Sequence, residues 1–216
     1  IYTYRAVIDG IDKEAVDPYV RATTVNGLKG VVVDLAATNP TKWSDVKPKF
    51  SGILSDASIY ELHVRDLSMD STSGISQANK GRFLAFTETN SSYQGSKTGV
   101  AHIKDLGVTH VELLPIFDYA SVDETSPTFN WGYDPQNYNV PEGSYSSKPA
   151  NPTSRITELK SAIQSMHDIG LRVNMDVVYN HVSSVSSFSE QKLVPDYFFR
   201  MDSNGNLTNG SGCGND

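Results

Sequence analysis

From residue 58 onward, strand-length and helix-length runs take turns, and the connections between them are unequal. SIYELHVRD at 58–66 reads as a strand. GVAHIKDLG at 99–107 places Val100, Ile103 and Leu106 at helical spacing, and Gly107 suits the helix end. THVELLPIF at 109–117 is nearly all apolar, as a strand covered on both faces must be. Ile156, Leu159, Ile163, Met166 and Ile169 form one face of a helix over 154–169. Thr153 or Ser154 is placed to cap its start and Gly170 its end. LRVNMDVVY at 171–179 is another buried-type strand. This order predicts a parallel sheet with helical crossovers. Only Gly107-Val108 and Gly170 join a helix to the next strand, whereas 67–98, 118–153 and 182–216 are long and each follows a strand. Long loops at the strand ends are usually functional. The asymmetry fits a TIM (β/α)8 barrel or an open doubly wound sheet, and both bind ligands at those ends. No G-x-G-x-x-G or G-x-x-x-x-G-K-[ST] follows a strand, so nucleotide phosphate has no loop to receive it.

The first quarter of the chain is different. IYTYRAVI and GVVVDL read as strands separated by turn residues at Asp9-Gly10, Asp17-Pro18 and Asn26-Gly27. Residues 1–36 are too few for a closed sandwich and are expected to be the last strands of a β-sandwich domain. Residues 37–57, with two prolines and no periodicity, are expected to be a linker. Eighteen basic against 25 acidic residues give a net charge of −7, which excludes a generally basic nucleic-acid binder. No apolar run approaches the roughly 20 residues that a membrane-crossing helix needs. The single cysteine, Cys213, excludes an intrachain disulfide framework and a multi-cysteine metal site.

Two clusters carry chemistry. The last strand ends in Asp176-Val-Val-Tyr-Asn180-His181. Strand alternation sets Asp176 and Val178 on one face, with Asn180 and His181 where the strand opens into its loop. An inward carboxylate is costly unless it is paired or hydrogen-bonded. Taken alone, this spacing fits a structural Asp and a surface His equally well. The second cluster is Phe129-Asn-Trp131-Gly132-Tyr133-Asp134-Pro135, followed by Asn137-Tyr138. A sugar needs this mixture: an aromatic face for its C–H surface, and amide or carboxylate groups for its hydroxyls. A packed aromatic loop core fits the same residues. Gly132 lets the backbone pass closely, and Pro135 stiffens the turn.

In this order the two clusters resemble the α-amylase superfamily of glycoside hydrolases, and within it the type I pullulanases. FNWGYDP departs from that group's YNWGYDP only at Phe129, and DVVYNH matches the superfamily's first conserved region. IYELHVRDLS at 59–68, LLPIFDYASVDE at 113–124 and NYNVPEGSYS at 137–146 are similar to the same proteins. The resemblance spans almost the whole chain and implies the N-terminal part of a TIM barrel over 58–216. It further implies that Tyr133 stacks on the sugar at subsite −1. Asp134 would bond that sugar or orient the loop, and His181 would donate to one of its hydroxyls. Asp176 would hold an arginine beside the nucleophile. Asn180 would support the loop, and in some relatives it is a calcium ligand. Trp131 either lines the glucan cleft or packs under the loop.

Retaining glycosidases use two carboxylates about 5–5.5 Å apart. In this superfamily they follow the fourth and fifth strands, and no segment here matches them. Glu61 and Glu112 lie within strands, Glu88 and Glu142 in loops, all out of context. The expected function is therefore a segment of an enzyme hydrolysing α-1,6 linkages of pullulan and branched α-glucans. Its partners would be the α-glucan and the remainder of the enzyme, as the same or a second chain. It would need no cofactor, calcium aside. The alternatives are an isoamylase or branching-type enzyme and a non-catalytic α-glucan-binding protein. The resemblance favours an extracellular or cell-surface bacterial setting, with the cytoplasm as the other option. A TIM barrel takes about 250 residues, so 58–216 is expected to be an incomplete one with exposed sheet edges. Arg155, Glu158 and Lys160 read as a solvated helix face. His63, His102, His110 and His167 lack metal-ligand spacing and read as solvated or satisfied histidines.

Overall fold

A computed structural model describes residues 1–216. In chain order the strands are β1 (Tyr4–Ile8), β2 (Ile11–Ala15), β3 (Ile59–Leu62), β4 (Ser92–Tyr93), β5 (Ser96–Lys97), β6 (His110–Leu113), β7 (Phe117–Tyr119), β8 (Pro135–Pro141) and β9 (Arg172–Met175). The α-helices are α1 (Gly99–Asp105), α2 (Ser154–Asp168) and α3 (Ser189–Leu193). β3, β6 and β9 form a parallel sheet in that order, with Ile59, His110 and Arg172 in register at one end and Leu62, Leu113 and Met175 at the other. α1 connects β3 to β6, and α2 connects β6 to β9, so the alternation expected from the sequence is present.

One face of this sheet is apolar. Leu62, Val111 and Leu113, with Tyr60 and Val173 beside them, pack against Val100 and Ile103 of α1, Ala162 and Met166 of α2, and Phe83 and Phe86 of the β3–α1 connection. The period of two puts Glu61, Glu112 and Asn174 in one row on the opposite face, where they are half-buried or exposed. That face is polar, and its row continues past the strand ends to His63, Leu114 and Asp176. A mouth lined with chemistry therefore follows from strand parity.

Several elements differ from the sequence reading. THVELLPIF is two strands, because Pro115 cannot donate to the ladder and the chain turns away to pair Phe117–Tyr119 antiparallel with β8. LRVNMDVVY is strand only to Met175. Its ladder ends where Asp176 N donates to Leu113 O at 2.9 Å, although burial still alternates through buried Val178 and exposed Val177 and Tyr179. GVVVDL is not a strand: Gly30 bridges to Tyr2 and Thr23, but Val31 to Leu35 have no partner ladder and Val32 is 82% exposed. Leu106 points outward from α1, half exposed, one step off the face of Val100 and Ile103. The N-cap of α2 is Thr153, as expected, but its side chain makes no capping bond; Asn151 Oδ1 takes the Thr153 N–H at 3.2 Å and its hydroxyl at 2.9 Å.

The largest departure is on α2. Arg155 is fully buried and Glu158 nearly so, rather than solvated. Arg155 is sealed by carboxylates from the β6–α2 connection. Glu158 accepts from the Ser147 N–H and hydroxyl at 2.8 and 2.5 Å. Lys160 sits at the rim, where its ammonium donates to Leu35 O, Thr38 Oγ1 and Asn39 Oδ1. Residues 37–57 carry no strand or α-helix, and they lie along α2 and β9. Ser44 N donates to Gln164 Oε1 at 2.9 Å, and the Arg172 guanidinium stands 5.0 Å over the Phe50 ring.

Candidate functional site

The carboxyl ends of β3, β6 and β9 release their chains at one level, with Leu114 N bonded to Leu62 O and Asp176 N to Leu113 O. Here the loop between β7 and β8 meets the segment after β9. Tyr133 Oη donates to Asp176 Oδ2 at 2.6 Å. Partial burial, reinforced by the hydrogen bond to the Asp176 carboxylate and the charges of Glu61 and Glu112, raises the Tyr133 phenol, so it stays a donor across the ordinary pH range. Asn180 Nδ2 donates to His181 Nδ1 at 3.1 Å, which leaves the imidazole proton on Nε2, and that proton goes to Tyr133 O at 2.7 Å. Tyr138 Oη anchors the same turn by donating to His181 O at 3.1 Å. Tyr133, Asp176, Asn180 and His181 thus form one connected group, exposed to solvent, from residues more than 40 positions apart.

The loop that carries Tyr133 is internally braced. Asp134 Oδ2 accepts from Ser121 N and Ser121 Oγ at 2.7 and 2.5 Å, and Asp134 O accepts from Ala120 N. Asn130 Oδ1 takes the Gly132 N–H at 2.8 Å. Gly132 has φ +85°, and a Cβ there would meet Pro115 at 3.0 Å and the Tyr119 ring at 3.2 Å, so both the left-handed backbone and the close approach require glycine. Underneath, His63 accepts from Arg65 N at Nδ1 and donates from Nε2 to Asn130 O at 2.8 Å. The Phe129 ring lies 4.9 Å from the His63 ring, and Trp131 stands edge-on to Phe129 at 5.1 Å with 59% of its surface exposed. A cavity of about 310 Å³ opens behind the loop, bordered by Arg82, Asn130 and Tyr145 among others.

A second charged group lies deeper. The Arg155 guanidinium holds both Glu124 oxygens, at 2.8 and 2.6 Å, and stands 3.6 Å from Asp118. Glu142 accepts from Tyr119 N at 3.1 Å and Ser144 N at 2.7 Å, while Asp118 Oδ2 accepts from Asn137 Nδ2 at 2.5 Å. All four side chains are almost completely enclosed. Asp118 and Glu124 face the one cation, and the Glu142 oxygen lies within 4.8 Å of both. Burial and the Glu142 charge push Asp118 well above the usual carboxylate range, and burial pushes Glu142 up to about 7.

Each residue singled out in the sequence is thus located. Tyr133, Asp176, Asn180 and His181 come together. Asp134 is turned into the loop and braces it through Ser121. Trp131 stands on the outer rim. The partner of Asp176 within these residues is the Tyr133 phenol. The one cluster of acidic side chains close enough to share a cation, Asp118, Glu124 and Glu142, lies away from Asn180 and has the Arg155 guanidinium beside it. Sequence reasoning missed Ser121, His63 and the buried acids. Asp118 and Glu124 sit in IFDYASVDE, where an acid inside an apolar run was the available signal.

Residues 84–211 match the family model described as "Alpha amylase, catalytic domain". The chain is 50% identical to the pullulanase of Bacillus subtilis (strain 168), over 94% of its own length and 28% of that protein. It superposes on the apo pullulanase of Paenibacillus barengoltzii with a TM-score of 0.94 and 53% identity, covering 99% of this chain and 33% of that one. It superposes equally well, at 52% identity and 34% of that chain, on the same organism's pullulanase in complex with maltohexaose and alpha-cyclodextrin. The chain therefore spans about a third or less of these relatives, whose family implies a TIM-barrel fold. The matched residues are more than half of the chain and contain both the FNWGYDP loop and the DVVYNH segment, so the chain belongs to the α-amylase family, where the relatives named above are pullulanases.

Proposed function

We propose that this chain works within a starch-debranching glycoside hydrolase that cleaves α-1,6 linkages in pullulan and branched α-glucans with retention. Residues 58–216 would be the N-terminal portion of the (β/α)8 barrel, 37–57 a linker, and 1–36 the end of a preceding β-sandwich, of which the β1–β2 hairpin would be part. The observation that carries the proposal is the Tyr133–Asp176–His181 group at the carboxyl ends of parallel strands. That is where a barrel of this kind binds its substrate. The complex of a similar pullulanase with maltohexaose and alpha-cyclodextrin supports an α-glucan as the ligand.

The geometry suggests a division of labour. The exposed Tyr133 ring offers its face to the sugar at subsite −1, held at the right tilt by its bond to Asp176. His181 keeps its proton on Nε2 because Asn180 donates to Nδ1. That Nε2–H rests on the Tyr133 carbonyl at 2.7 Å, so donation to a sugar hydroxyl would require the substrate to share or replace that bond. Asp134 fixes the loop through Ser121, and Trp131 extends the platform outward. The nucleophile and acid/base would come from elsewhere in the enzyme, since Asp118, Glu124 and Glu142 are enclosed and committed to other partners. In the enzyme carrying this chain, His181→Ala should lose most turnover while remaining folded, and pullulan should yield mainly maltotriose. Unchanged turnover would refute the assignment, and an enzyme that debranches glycogen but leaves pullulan intact would indicate the isoamylase-type reading.

A further inference from the structure

The sugar-facing loop is held at its base by a turn from the opposite end of the chain. The Asn26-Gly27 turn lies about 100 residues upstream in sequence, yet it bonds to both legs of the loop between β7 and β8. On the outgoing leg, Glu124 N donates to Asn26 Oδ1 at 2.9 Å. On the returning leg, Gln136 Nε2 donates to Asn26 O at 3.2 Å and Asn137 Nδ2 donates to Gly27 O at 3.2 Å. Residues 129–135 hang between these two attachment points.

The turn is built for this position. Asn26 and Gly27 are both left-handed, at φ +58° and +66°. Asparagine tolerates that conformation and glycine adopts it freely. The turn is closed on itself by Thr24 N to Lys29 O at 2.9 Å and Gly27 N to Thr24 O at 3.1 Å. Gly27 is buried against the loop base: a Cβ there would overlap Asp118 Oδ2 and would lie 2.6 Å from Asn137 Nδ2 and 2.7 Å from Gln136 Nε2. Asn137 Nδ2 itself reaches Asp118 Oδ2, so the turn closes over the buried acid cluster.

We infer that the Asn26-Gly27 turn is a positioning clamp for the glucan-binding loop, ordering Trp131 and Tyr133 before substrate arrives. Asn26 touches neither sugar nor reacting atoms; it acts through Glu124 and Gln136. This rests on the reading of that loop as the sugar platform. A loop ordered in advance loses less conformational entropy when it binds. The clamp therefore acts on affinity shared by ground and transition states, so its loss should appear in KM and leave kcat in place.

The test uses the enzyme carrying this chain, with pullulan as substrate. Asn26→Gly keeps the left-handed backbone and removes the side chain whose Oδ1 takes the Glu124 N–H and whose amide faces Asp123. Gln136→Ala cuts the second tie and gives the same readout if Asn26→Gly does not fold. Each lost hydrogen bond should raise KM by about 3–10-fold with kcat within about twofold. An unchanged KM in Asn26→Gly, or in Gln136→Ala where that variant stands in, would overturn the clamp whether or not the melting temperature falls. His181→Ala separates the two ideas. If it cuts turnover while the clamp variants match wild type, only the clamp fails. If it leaves turnover intact, the sugar-platform reading fails.

Discussion

Two charged groups lie near the carboxyl end of the sheet, and the fold treats them in opposite ways. Asp118, Glu124 and Glu142 are enclosed around Arg155, and their oxygens are committed to backbone amides, an asparagine and a guanidinium. Asp176 lies at the open mouth and has one side-chain partner, the Tyr133 phenol. Asp118 also accepts a single hydrogen bond, from Asn137, but it is enclosed beside Arg155, whereas the remaining lone pairs of Asp176 are at the open mouth. Enclosed charge that is paired within the protein fixes the shape of a loop, while charge with lone pairs open to solvent can meet a ligand.

The comparison can be broken most forcefully at Arg155. Arg155→Met leaves three enclosed carboxylates without their cation, and it should cost about 3–5 kcal/mol of stability. Denaturant titration reads this directly. A loss below about 1 kcal/mol would mean that the cluster is far wetter or looser than its burial indicates.

A smaller effect tests the protons of the same cluster. A free glutamate carboxyl titrates near 4.5, and Glu142 is raised to about 7. The folded state therefore holds more protons between those values. Stability should be fullest below that window and fall as pH rises through it. Asp118 is raised as well and acts in the same direction. In Glu142→Gln the slope of melting temperature against pH between 4.5 and 7 should flatten. An unaltered slope would remove Glu142 from the account.

The smallest expected effect is at the rim. Trp131→Ala should raise KM by about fivefold, equivalent to ~1 kcal/mol of lost aromatic contact, with little change in melting temperature. A lowered melting temperature at unchanged KM would instead make Trp131 a packing residue under the loop.

The sequence exposed the parallel strand–helix alternation because both of its signals are local: apolar runs, and glycines closing short turns. Tyr133 and His181 were legible through two motifs, and strand parity placed Asp176 on the mouth-facing side. Arg155 was misread because helical periodicity reports which positions face inward only when the inward face is apolar. Here α2 turns a cation inward to meet acids that lie some 13 to 37 residues before it, a pairing that no local window contains. The Asn26 contacts were illegible for the same reason, since about 100 residues separate the turn from the loop it holds. Strand lengths failed where partners decide them: GVVVDL has strand-forming residues and no ladder to join, and β9 ends where its bonding to β6 ends.

The most direct test of the contrast between framework and mouth is Tyr133→Ala in the enzyme carrying this chain, read as turnover on pullulan beside thermal stability. Tyr133 is 39% exposed, and its ring borders solvent. The stability change should stay near the ~1 kcal/mol of one lost hydrogen bond, while kcat/KM should fall by about 100-fold if the ring is the platform proposed for the −1 sugar. Full turnover per folded molecule, or a collapse of stability that accounts for the lost activity, would contradict the account.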